Sequence, residues 1–207
     1  MKKNLYFVFI AASFALLAAA PGRLAYGLPL ALELFLLSVS ATAFNSLSNK
    51  MGLGALQETL SLAFIIFMAV LYKQILVLFS PVIALTLSFL VYIPAASAFL
   101  LAEVFSSPSP SVSDNARLSA KTGAFAILFF LLRDVLGYGT VTFPAPGSIK
   151  EAVLFNAYDT AFLSFFATIP GALLILIFCM SLLLAAQTRL NILEKAQAVE
   201  EKKDENV

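Results

Sequence analysis

The chain has 207 residues, 61% of them hydrophobic and only 12% charged, with a net charge of +1 and a mean hydropathy of +0.95. A soluble domain is about 45–50% apolar and about 25% charged, so a fold of this length could not hide its apolar surface from water, and the solvent must be lipid. The near-zero charge gives no basis for a nucleic-acid partner, and the absence of histidine removes the commonest general base and transition-metal ligand.

A membrane-spanning helix needs about 17–25 mostly apolar residues. Six segments qualify: about 4–20, 25–46, 53–72, 77–103, 119–137 and 160–186. The first opens with Met1-Lys2-Lys3 and closes on an Ala-rich stretch before Pro21, so it also reads as a secretory signal peptide. Pro21 directly after the cleavage site favours a retained first helix. The segment 106–116, "SSPSPSVSDNA", is a loop, because proline and serine at this density do not continue a helix. Residues 187–207 are a charged tail.

Lys and Arg set the orientation. With the N-terminus cytoplasmic, Lys2, Lys3, Lys50, Arg117, Lys121, Arg189, Lys195, Lys202 and Lys203 lie inside, and Arg23, Lys73, Arg133 and Lys150 lie outside. The expectation is a multi-pass protein of the cell inner membrane with both termini cytoplasmic.

The stretches "RLAYGLPLALELFLL" (23–37) and "RLSAKTGAFAILFFL" (117–131) agree at five of fifteen positions at an offset of 94. Chance similarity within a small membrane alphabet competes with a true repeat. A true repeat would make spans 1–3 (about 1–75) and 4–6 (about 76–186) two halves of opposite topology, as in many transport proteins. The fold class is therefore all-α and polytopic, with six spans in an inverted repeat.

Few polar residues interrupt the spans. Glu33, midway along the second, is an ion-path candidate, since a lone carboxylate in lipid is costly; a helix-gluing acid is the competing reading. Glu58 and Glu103 are weaker candidates near span ends. Pro29, Pro81, Pro94 and Pro170 kink spans or break them. Cys179, the sole cysteine, reads as a small buried apolar group. "FFLLRDVLGYGTVTF" (129–143) sets Arg133 and Asp134 at the end of an apolar run, where they would reach headgroups or pair with a neighbour. Gly137 and Gly139 follow and would let the chain turn.

The stretches around Arg133, Asp134, Leu136, Gly137, Gly139 and Thr140, and around Pro170, Gly171 and Ala172, resemble the small six-span membrane subunits of the Rnf and Nqr electron-transport complexes. "LAEVF" resembles the segment after the family's fourth helix, which would put Glu103 at its acidic position. "SFALLAAAPGRLAYG" matches the first helix through Ser13, Leu16, Leu17, Ala18 and Gly27, with serine where the family has cysteine. In the fourth helix, Leu87 and Ser88 follow Pro81 near the family's second cysteine. Ser13 and Ser88 thus stand at positions resembling cluster ligands.

The resemblance implies a component of an ion-translocating ferredoxin:NAD oxidoreductase that supplies scaffold, ion path and a share of the membrane electron route, beside an oppositely oriented paralogous six-span subunit. Flavin and iron–sulfur clusters would belong to partner subunits. With neither cysteine in place, this chain itself would bind no cofactor or metal and carry no catalytic residue. A stand-alone small-solute transporter, or the membrane component of one, is the main alternative, and a purely structural membrane protein is the third.

Overall fold

The computed structural model describes residues 11–52, 56–98, 112–155, 163–182, 184, 185 and 189. The structure is mostly helical. A short helix α1 over 11–17 leads through a turn into α2 (Leu24–Met51). α3 (Gln57–Phe79) and α4 (Pro81–Ala98) follow, and α4 contains a 3-10 stretch, Ser88–Tyr92. α5 (Val112–Tyr138) feeds an antiparallel hairpin of β1 (Thr140–Ala145) and β2 (Ser148–Val153). A 3-10 turn, Leu163–Ala167, precedes α6 (Ile169–Leu182).

α2, α3 and α4 are long and apolar enough to cross a membrane, and α6 is a shorter apolar helix. By length and composition they mark the chain as a membrane protein. α3 has the profile of a lipid-facing span: of its 23 residues only Ser61, Ile65, Ala69 and Leu76 are buried. Its exposed side chains, including Ile66, Phe67 and Leu71, are apolar and would be untenable in water.

The interior is organised on α2 and α5, which share more of it than any other pair of helices. They run antiparallel. A Cβ on Gly22 would meet Arg133, one on Gly27 would meet Phe130, and one on Gly123 would touch Ala31 and Phe35. Small residues allow such close approach where lipid supplies no hydrophobic drive between helices. α3 is antiparallel to α2 as well: the Phe44 and Phe64 rings stack with centroids 4.5 Å apart, and the Tyr72 hydroxyl donates to Pro29 O at 2.8 Å. Arg23, Arg133 and Lys150 consequently gather at one end of the α2–α5 pair, with Lys50, Arg117 and Lys121 toward the other.

Several boundaries differ from the sequence reading. α3 continues past Lys73 to Phe79 and turns at Ser80, because nothing between 73 and 79 breaks a helix and Pro81 suits the first position of the next. Val112–Ala116, read as loop, are already helical, since the last proline before them is Pro110. Pro170 is the second residue of α6 and so begins a helix, as Pro81 does; Pro94 follows the 3-10 stretch inside α4, and Pro29 lies deep within the continuous α2. The hairpin qualifies the all-α expectation. Its turn is Pro146-Gly147, with Gly147 at φ 73, the left-handed position that glycine fills in a Pro-Gly turn.

Candidate functional site

Two places on the α2–α5 pair hold buried charged side chains. The first is the corner where α5 ends. Arg133 and Asp134 are 1% and 0% exposed, so they reach no headgroup, and they find backbone partners in place of an ion pair. Asp134 Oδ2 accepts from Leu24 N at 3.0 Å, Thr142 N at 2.8 Å and Thr142 Oγ1 at 2.7 Å, while Oδ1 accepts from Thr140 Oγ1 at 2.9 Å. Thr142 Oγ1 in turn accepts from Ala25 N at 3.0 Å. Arg23, the residue before α2, makes no side-chain cap. The first N–H groups of α2, orphaned in any helix, are capped by an aspartate and a threonine more than a hundred residues away. The carboxyl group also sits at the positive end of the helix dipole.

Arg133 faces the opposite polarity. Its Nη1 donates to Ala20 O at 2.9 Å and its Nη2 to Ala167 O at 3.2 Å, which are the carbonyls where the chain leaves α1 and the 3-10 turn. Its guanidinium lies over the Phe129 and Phe130 rings at 5.6 and 5.8 Å. The Arg-Asp pair thus clamps both sides of the α1–α2 break.

The glycines complete this corner. Gly139 has φ 66, as the sharp exit from α5 into β1 requires. Gly137 is still helical, and its role is close approach: a Cβ there would lie 2.7 Å from Ala167 N. A Cβ on Gly171 would lie 2.2 Å from Phe165 O, against the same 3-10 turn. Outside the corner, Arg23 pairs with Glu151 of β2 and lies 5.1 Å from the Tyr138 ring centroid.

The second place is Glu33. It has no exposed surface, and neither carboxylate oxygen has a hydrogen-bond partner. Beyond Pro29 and Tyr72, one helical turn away, lies a cavity of about 820 Å³ between α2, α3, α4, α5 and the hairpin turn. Its walls are almost wholly apolar, with Tyr72 and Ser80 the only hydroxyl-bearing residues lining it.

The other sequence candidates are dispersed. Glu58 is exposed in the first turn of α3, and Glu103 lies outside the described residues. Cys179 is a half-buried free thiol against the core. Ser88 is exposed, on the 3-10 stretch, at φ 48. Ser13 is fully buried and meets Ser97: Ser97 Oγ donates to Ser13 O at 3.1 Å, and Ser13 Oγ to Ser97 O at 3.4 Å. The α4 residue facing Ser13 is therefore Ser97, which the sequence reading passed over. Tyr72, Thr140 and Thr142 were also missed as partners; the alternation of β-branched residues in "TVTF" was the available signal for the hairpin that carries the threonines. Among the described residues, no group of three or more His, Cys, Asp or Glu could hold a metal ion.

No protein-family model, no curated protein and no solved structure matches the chain.

Proposed function

We propose that this chain is an integral membrane subunit of an Rnf-like ion-translocating ferredoxin:NAD oxidoreductase, contributing scaffold and part of the membrane ion path, with flavin and iron–sulfur groups carried by partner subunits. The observation that carries this reading is that the residues behind the resemblance form one structural unit. Arg133, Asp134, Gly139 and Thr140 build the corner, and Gly137 and Gly171 both abut the 3-10 turn that Arg133 holds. A motif of scattered helix-surface residues would not behave so.

The six-span inverted repeat belongs to the same proposal. An odd number of crossings between equivalent spans demands that they run in opposite directions, and α2 and α5 do. The Ser13–Ser97 pairing is reciprocal, as expected of equivalent positions beside a pseudo-twofold axis. Its offset is 84 residues against 94 for the 23–37 echo, and the difference fits an insertion in the Pro- and Ser-rich segment between α4 and α5. Both termini are assigned to the cytoplasm from the charge distribution.

Purification of the tagged chain from native membranes in mild detergent tests the reading. A multisubunit complex with flavin-bearing partners is expected. A chain that purifies alone, or with only an ATPase, overturns it in favour of a stand-alone transporter, the reading that the apolar cavity favours, and the solute would then be hydrophobic.

A further inference from the structure

The elements packed against α2 carry few titratable groups. On α3, Tyr72 lies within electrostatic reach of Glu33, but its hydroxyl proton goes to Pro29 O. Lys73 lies over the Tyr92 ring at 4.8 Å. On α5, Arg133 and Asp134 are spent on the corner at the start of α2, and Lys121 is exposed. α4 and β1 contain no Asp, Glu, Lys or Arg.

A bare carboxylate here would lose its water and gain no donor in exchange, at a cost that is a large part of what holds a whole domain folded. A metal cation could neutralise it, but a hard cation takes about six or more oxygen ligands. The surroundings of Glu33 offer a tyrosine hydroxyl already bonded to a carbonyl, and no group of three or more His, Cys, Asp or Glu among the described residues could hold a metal ion. A proton needs only one oxygen.

We propose that Glu33 is a proton-binding site of the membrane interior, holding an exchangeable proton as a neutral carboxylic acid and ligating no metal cation. This deepens the ion-path reading, on which its physiological purpose rests, by naming the ion. Pro29, one helical turn before Glu33, and Tyr72 both line the apolar cavity. Pro29 has no N–H to return to Ala25 O, so the helix is locally looser one turn before Glu33.

Carbodiimide labelling tests the site in the full chain within native membranes. An un-ionised carboxylic acid adds across one C=N bond of dicyclohexylcarbodiimide, its proton passing to nitrogen. The O-acylisourea rearranges to an N-acylurea that retains every atom of both reactants, so the modified peptide is identified by mass. The expected result is label on Glu33 that falls as pH rises, is unaffected by saturating Na⁺ or Mg²⁺, and is lost in Glu33→Gln. Glu58, exposed on α3, provides the contrast: a charged, water-soluble carbodiimide should modify it and spare Glu33. Protection of Glu33 by a metal cation would overturn the proposal in favour of a cation ligand. Absence of label at Glu33 in samples where Glu58 reacts would overturn it as well, by showing no exchangeable proton. Both readouts are mapped on the wild-type chain, so they stand even if Glu33→Gln accumulates poorly. Failure of the complex reading would appear in co-purification, which this experiment does not use.

Discussion

Asp134 and Glu33 are both fully buried carboxylates on the same antiparallel helix pair, and their surroundings are opposites. Asp134 accepts four hydrogen bonds, two of them from backbone N–H groups, and stands at a helix N-terminus beside a buried arginine. Glu33 accepts none. A carboxyl group engaged by four donors serves architecture. One placed in an apolar interior without donors is tolerable only if its charge can be removed. Burial is common to both residues, so the hydrogen-bond inventory separates a lock from a titratable site.

Substitutions at the corner should have the largest effect. Asp134→Ala leaves Leu24 N, Thr142 N and the Thr140 and Thr142 hydroxyls without their acceptor. Each buried donor left unsatisfied costs about 1–3 kcal/mol, and the variant should accumulate poorly and unfold well below wild type in a thermal-shift assay in detergent. Wild-type stability would show that the corner is not what fixes the α1–α2 break. Next in size is Gly27→Ala, where the new Cβ would fall 2.1 Å from Phe130 Cγ. Overpacking of this kind costs about 1–3 kcal/mol. Phe130→Leu combined with Gly27→Ala should recover part of the loss, and simple additivity in that double-mutant cycle would argue against direct contact.

The sequence displayed the apolar segments, the Gly139 turn and the importance of Arg133 and Asp134, because hydropathy and local backbone chemistry reside in adjacent residues. It did not display why the Arg-Asp pair is there. Charge at the end of an apolar run suggests headgroups, whereas the true partners are backbone groups of Ala20, Leu24 and Ala167, which have no signature in residue type. Lys73 misled the α3 boundary for a related reason: a charge looks like a loop until a ring such as Tyr92 is found to cover it. Ser97 was invisible because a serine among small residues looks like packing. Glu33 stood out in the sequence as the one carboxylate in mid-span, but its lack of any partner is a property of the assembled bundle alone.

Glu33→Gln sharpens the contrast in the other direction. An amide resembles a neutral carboxylic acid in size and polarity, so replacing an acid already uncharged should change stability by less than about 1 kcal/mol, within the range of volume-conserving core swaps. Asp134→Asn, the same change in chemistry, keeps one oxygen for Leu24 N and Thr142 N but turns its NH₂ toward Thr140 Oγ1 and removes any charge assistance from these bonds, and should destabilise by about 1–2 kcal/mol. Thermal unfolding of the two variants side by side reads the difference directly. Equal losses would mean that Glu33 too is held by hydrogen-bond donors, from outside the described residues, and would end the distinction between the two sites.

The smallest effect is expected just outside the corner, where Arg23 meets Glu151. Their side chains are 32% and 42% exposed, so water and salt screen the pair, and exposed ion pairs contribute about 0–1 kcal/mol. Arg23 also lies over the Tyr138 ring, a contact that survives loss of the carboxylate. Glu151→Gln should therefore shift thermal stability only slightly, and raising the salt concentration should narrow even that gap between wild type and variant. Asp134→Ala should show no comparable salt dependence, because its partners are uncharged backbone N–H groups and threonine hydroxyls. A large, salt-insensitive loss in Glu151→Gln would place the hairpin inside the lock and extend the architectural site from α5 to β2.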